Sequence, residues 1–137
     1  MKRLAAYSDH VYAVTRIMAG FMFSMHGMQK VFGLLTDQQP AIGSQLWIGG
    51  LIELVCGILI LVGFQTRWAA FLASGTMAVA YFQFHWKFQF DAAFFPAVNR
   101  GELAVLYCFV FLYMACRGGV KWCLDKADEA QADASSE

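Results

Sequence analysis

Residues 38–66 hold one charged side chain, Glu53, within a run made largely of Leu, Ile, Val and Gly. That carboxyl restricts the fold more than any other feature of the chain. Placed at mid-membrane, an ionisable group costs about 2.5–3.5 kcal/mol on insertion scales, so it faces the interior of a bundle and takes a pairing or functional role.

Membrane insertion itself follows from the rest of the sequence. The 137 residues are 59% hydrophobic and 15% charged, against about 45–50% and about 25% for a soluble domain. Residues 68–86 contain no Asp, Glu, Lys or Arg and are long enough to cross about 30 Å of hydrocarbon at about 1.5 Å per residue. Three further apolar stretches of suitable length are interrupted by charges: 11–35 by Arg16 and Lys30, 46–64 by Glu53, and 102–117, which opens on Glu102. Turn chemistry separates the four, at Thr36 to Pro40, Gly63 to Arg67 and Phe95 to Gly101. The expected fold is all-α, a polytopic antiparallel bundle of four transmembrane helices occupying residues 1–124, with 125–137 as an acidic flexible cytoplasmic tail.

Lys and Arg set the orientation. If both termini share one side, that side holds Lys2, Arg3, Arg67, Arg117, Lys121 and Lys126, and the other holds Lys30, Lys87 and Arg100. The positive-inside bias therefore puts both termini in the cytoplasm, and the expected location is the bacterial inner membrane. Trp47, Trp68, Trp86 and Trp122 fall at helix ends, where indoles favour the headgroup layer.

Counting depth from the helix ends brings His26, Lys30, Glu53, Tyr81, His85 and Glu102 into one outer-half region. Arg16, Gly20, Phe23, Gly27 and Lys30 form one helical stripe; Leu46, Gly50, Glu53, Gly57 and Ile60 form another. Folding the hairpin antiparallel sets Gly20 against Gly57 and Gly27 against Gly50, and small residues let membrane helices approach closely. Glu53 is then expected beside Ser24, His26 or an extended Arg16, and His85 beside Glu102. A candidate pocket combines Glu53 and His26, as proton-exchanging or carbonyl-binding groups, with Lys30, Tyr81, His85 and Glu102, walled by Phe23, Phe82 and Phe109. Arg16, Gly20, Gly27, Gly50 and Gly57 take structural roles.

Cys56, Cys108, Cys116 and Cys123 contain no C-x-x-C pair, which argues against thiol oxidation chemistry. His26 and His85 differ in depth by roughly 10 Å, unsuitable for a pair of axial haem ligands. Neither a Glu-x-x-His pair nor an H-E-x-x-H motif occurs, so no metal is expected.

Arg16, Gly20 and His26-Gly27-Met28-Gln29-Lys30-Val31-Phe32-Gly33 resemble the first-helix signature of the DoxX family of small bacterial membrane proteins. Ile52-Glu53-Leu54-Val55-Cys56-Gly57 and Gly63-Phe64-Gln65-Thr66-Arg67-Trp68 are similar to its second-helix and turn motif. His85, Phe95-Pro96, Asn99-Arg100-Gly101-Glu102 and Trp122-Cys123-Leu124-Asp125 complete the resemblance, which covers residues 12–126; Cys123 stands where the family commonly has Ser. The resemblance implies a four-helix bundle linked to respiratory or thiol redox chemistry and to quinone-reducing membrane oxidoreductases. A quinone is the candidate ligand, with electrons supplied by a partner or a cofactor elsewhere. The alternative is a non-catalytic accessory or assembly subunit docking on a respiratory complex through its glycine faces and aromatic edges. Transport is a third class, with no broken helix in the sequence to serve alternating access. Expected partners are the lipid bilayer and membrane oxidoreductase or respiratory-complex subunits, with homo-oligomerisation open and no nucleic acid.

Overall fold

Gly33 and Gly63 end the first two long helices by adopting left-handed conformations, φ 66° and 69°, that a side chain would strain. The computed structural model describes residues 2–125. Every regular element among them is helical: a short α1 (Lys2–Ala5), α2 (Ser8–Phe32), α3 (Gln45–Val62), α4 (Thr66–Ala80), a π-helical continuation (Tyr81–Trp86), a 3-10 turn (Ala92–Phe94), a short α5 (Pro96–Asn99) and α6 (Glu102–Arg117). By length and composition α3 is able to cross a membrane, and it alone of the described helices meets both requirements.

The expected spans shift in register. Helix 11–35 becomes α2, which starts earlier and stops at Phe32 because Gly33, whose N–H still bonds to Gln29, turns left-handed. Ser44 caps α3 by accepting the N–H of Trp47 at 3.3 Å. The uniform run 68–86 is divided: α4 gives way at Tyr81 to a π-turn closed by Lys87 N–H to the Phe82 carbonyl at 3.0 Å. The lack of any Asp, Glu, Lys or Arg across 68–86 hides that change, although Gln83 and His85 make the π-segment more polar than α4.

Packing pairs α2 with α3 and α4 with α6. Gly20 and Gly27 lie against the α3 backbone; a Cβ added at Gly20 would fall 2.7 Å from the Gly57 carbonyl oxygen, and one at Gly27 would fall 2.7 Å from that of Gly50. Phe23, Tyr107 and Phe111 join the two pairs, with Phe23 ring centroids 5.6 and 4.7 Å from the other two. Between α4 and α6 the contact is built on small α4 side chains, with Ala69, Ala70 and Ala73 buried and Ser74 donating to the Cys108 carbonyl at 2.8 Å.

The start of α2 and the end of α6 share one end of the bundle, the near end, tied by Tyr12 hydroxyl to the Gly118 carbonyl at 2.6 Å and by an Arg117–Asp9 ion pair. Outward faces are apolar on every long helix, with Val14, Met18, Ile48, Val55, Leu72 and Leu106 exposed while Arg16 and Glu53 are buried. Of the segment expected as an acidic tail, residues 126–137 lie outside the described residues, and Asp125 is fixed in the structure as set out below.

Candidate functional site

Glu53 is 3% exposed on the face of α3 that meets α2. Its carboxylate accepts two hydrogen bonds from Lys30 Nζ, at 2.6 and 2.8 Å. Gly50 makes this reach possible: a Cβ there would collide with Lys30 Cβ, so the lysine stem lies flat over the bare backbone and delivers its ammonium one turn deeper. The predicted partners on α2 were Ser24, His26 or Arg16, and these are corrected. Ser24 donates to its own helix at Phe21, 2.8 Å away. His26 is half-buried and takes no part in the ion pair, and Arg16 is engaged at the near end.

Beside the pair, a cleft of about 530 Å³ opens between α3 and α4. Of the expected pocket residues, Lys30, Glu53 and His85 line it; His26, Phe23, Tyr81, Phe82, Glu102 and Phe109 do not. Phe23 is 1% exposed and belongs to the aromatic core with Tyr107 and Phe111. Phe109 is 64% exposed because α6 buries the stripe Ala104, Tyr107, Phe111 and Met114, which leaves residue 109 on the opposite side. Glu102 is exposed, and Phe82 packs outward against Trp86 and Phe88 at 5.6 and 5.7 Å.

The remaining lining includes Gln45, Gly49, Ile52, Phe71, Gly75 and Thr76. Gly49 and Gly75 differ from the packed glycines in that an added Cβ at either would meet nothing within 4 Å. They hold space open. Depth counting passed over them because a glycine offers no polar group to count, and both stand outside the stripes that pack α2 on α3.

His85 does not reach Glu102. Its Nδ1 lies 3.2 Å from the Asn99 carbonyl oxygen, an acceptor, so Nδ1 carries the proton and Nε2 is the remaining ring nitrogen. Asn99 is the organiser of this far end: its amide donates to the Ala93 carbonyl at 2.8 Å, its side-chain oxygen accepts from Gly101 N–H at 2.8 Å, and the Tyr81 hydroxyl is 3.4 Å from its amide nitrogen. Tyr81 packs against Gly101, where a Cβ would fall 2.6 Å from its ring. The π-turn re-aims the end of this helix, setting His85 at once on Asn99 and on the cleft wall.

Arg16, 0% exposed, knots the near end. Its two terminal nitrogens donate to the carbonyls of Ile60 (2.5 Å), Leu61 (2.9 Å), Lys121 (3.1 Å) and Trp122 (2.7 Å). Two of these are carbonyls in the last turn of α3, where a cation also meets the negative end of the helix dipole; Ile60 accepts the Gly63 N–H as well, at 3.2 Å. Asp125 closes the same knot by accepting the N–H groups of Gln65 (2.6 Å) and Thr66 (3.0 Å) at the start of α4. Gly63 is required here twice over, by its φ and because Cys123 occupies the space of a Cβ.

A family model described as DoxX matches residues 11–86, the span that contains Arg16, Lys30, Glu53, Gly75 and His85. A protein of Haemophilus influenzae described as an uncharacterized protein is 39% identical over 129 residues, covering 91% of this chain and 96% of its own length. No solved structure matches the chain.

Proposed function

The chain belongs to the DoxX family, and on that premise we propose that it is a multi-pass inner-membrane protein whose α3–α4 cleft handles a quinone within a membrane oxidoreductase. The supports for four spans are the 25 residues of α2, the 18 of α3 and the apolar outward faces of the long helices; α4 (15 residues) is extended by its π-turn (6 residues), and α6 has 16. Apolar side chains cover much of their outward faces, while Arg16, Ser24, Glu53 and Ser74 are buried. The near end, bearing Arg67, Arg117 and Lys121, is cytoplasmic on the positive-inside bias.

The observation that carries the ligand assignment is the Lys30–Glu53 pair at the wall of a largely apolar cleft that His85 also lines. Quinone carbonyls need hydrogen-bond donors, and the quinol formed on two-electron reduction gains two protons. Lys30 supplies N–H donors. Glu53 relays protons, and His85, whose Nδ1–H is committed to the Asn99 carbonyl, offers Nε2 as an acceptor for a quinol hydroxyl. The electrons come from a partner subunit.

The accessory-subunit alternative loses one support, since the glycine faces are consumed inside the α2–α3 hairpin. It retains the aromatic cluster around Trp86 as a docking edge. Quinone-dependent turnover of the intact complex separates the two. Glu53→Gln, with normal subunit composition, lowers turnover at least about tenfold on the quinone reading; unchanged turnover favours the accessory role.

A further inference from the structure

We infer that the ligand is a long-chain amphiphile that enters the cleft sideways from the bilayer, its ring reaching Glu53 over Gly75 and its chain leaving between α3 and α4; this rests on the quinone reading above. A Gln45–Gln83 hydrogen bond joins the start of α3 to the π-turn that follows α4 and straps the cleft at the far end. The same bond fixes the antiparallel register, which puts Gly75 level with Glu53 and Gly49 about one turn further out. Because a side chain at either glycine would stand in open space, these two positions make the passage between the mouth and the carboxylate.

The mouth itself is apolar. Ile48, Phe71, Leu72 and Val79 line the cleft and are also exposed on the outside of the bundle, so the opening lies on the lateral surface. A site of about 530 Å³ falls within the range of about 300–1,000 Å³ that holds drug-sized ligands, more than one ring occupies. The ring's polar atoms match the Lys30–Glu53 end, and the surplus apolar volume matches a chain.

The test uses the full chain in nanodiscs and a radiolabelled naphthoquinone carrying four isoprene units, with retention on protein-free nanodiscs subtracted. Competitors are the unlabelled compound and menadione, the same ring without the chain, compared at equal mole fraction in the bilayer. Menadione is expected to compete at least about tenfold more weakly. Gly75→Leu is expected to lower retention of the long-chain compound by a similar factor. Equal competition by menadione overturns the lateral-chain inference and leaves the quinone reading intact. Absence of specific retention for either compound overturns both.

Discussion

Lys30 Nζ holds both carboxylate oxygens of Glu53, at 2.6 and 2.8 Å, from a neighbouring antiparallel helix. The lysine side chain is 32% exposed and the glutamate 3%, so the pair spans the boundary between cleft and core. A buried charge satisfied on one side and approachable on the other is suited to proton exchange with a ligand.

Removing one member leaves the other charge uncompensated. Lys30→Met is expected to destabilise the protein by about 3–5 kcal/mol, whereas Lys30→Met combined with Glu53→Leu recovers most of that loss. Reversible unfolding of the single and double variants in mixed micelles gives the coupling energy. Additive losses would contradict the ion pair.

The two classes of glycine predict opposite outcomes. Gly57→Leu drives a side chain into the Ser24 backbone and is expected to abolish hairpin packing, with loss of folded protein. Gly75→Ala meets open space and gains helix propensity, so stability is unchanged or rises by up to about 1 kcal/mol. Thermal unfolding of both variants in one detergent checks the contrast.

Arg16→Lys keeps the charge but loses the planar fork that serves four carbonyls. The expected cost is about 3 kcal/mol or more, with new protease cleavage around residues 118–125. Asp125→Ala, which removes the cap on α4, is expected to cost about 1 kcal/mol. Limited proteolysis and unfolding midpoints report both; resistance equal to wild type in Arg16→Lys would refute the knot.

How much of this was legible depended on the kind of signal. Helical periodicity placed Gly20, Gly27, Gly50 and Gly57 on facing stripes, because small residues at 3–4 spacing carry their packing role in the sequence itself. Depth counting put Glu53 and Lys30 in one region but assigned the wrong partners, since the flexible lysine stem lets Nζ act a turn away from its own Cα. Arg16 was placed on the right face, yet its partners are backbone carbonyls at a helix end and in a returning segment, and side-chain patterning does not encode those. The π-turn, and with it the true neighbour of His85, lay inside a run free of Asp, Glu, Lys and Arg that reads as one continuous helix.

Phe23 illustrates the consequence. It was expected to wall the ligand, but it lies in the α2–α6 core. Phe23→Ala is therefore expected to cost about 3–5 kcal/mol of stability. Quinone affinity of the folded fraction should change less than twofold, as read by titration after removal of aggregate.

The claim that the α3–α4 cleft takes the quinone is tested most directly by photoaffinity labelling with an azido-naphthoquinone bearing an isoprenoid chain, followed by peptide mapping. The account predicts adducts on residues 45–53 and 71–85, suppressed by excess unlabelled quinone and by Gly75→Leu. Competable adducts confined to α6 or to the near end around Arg16, with none on α3 or α4, would contradict it.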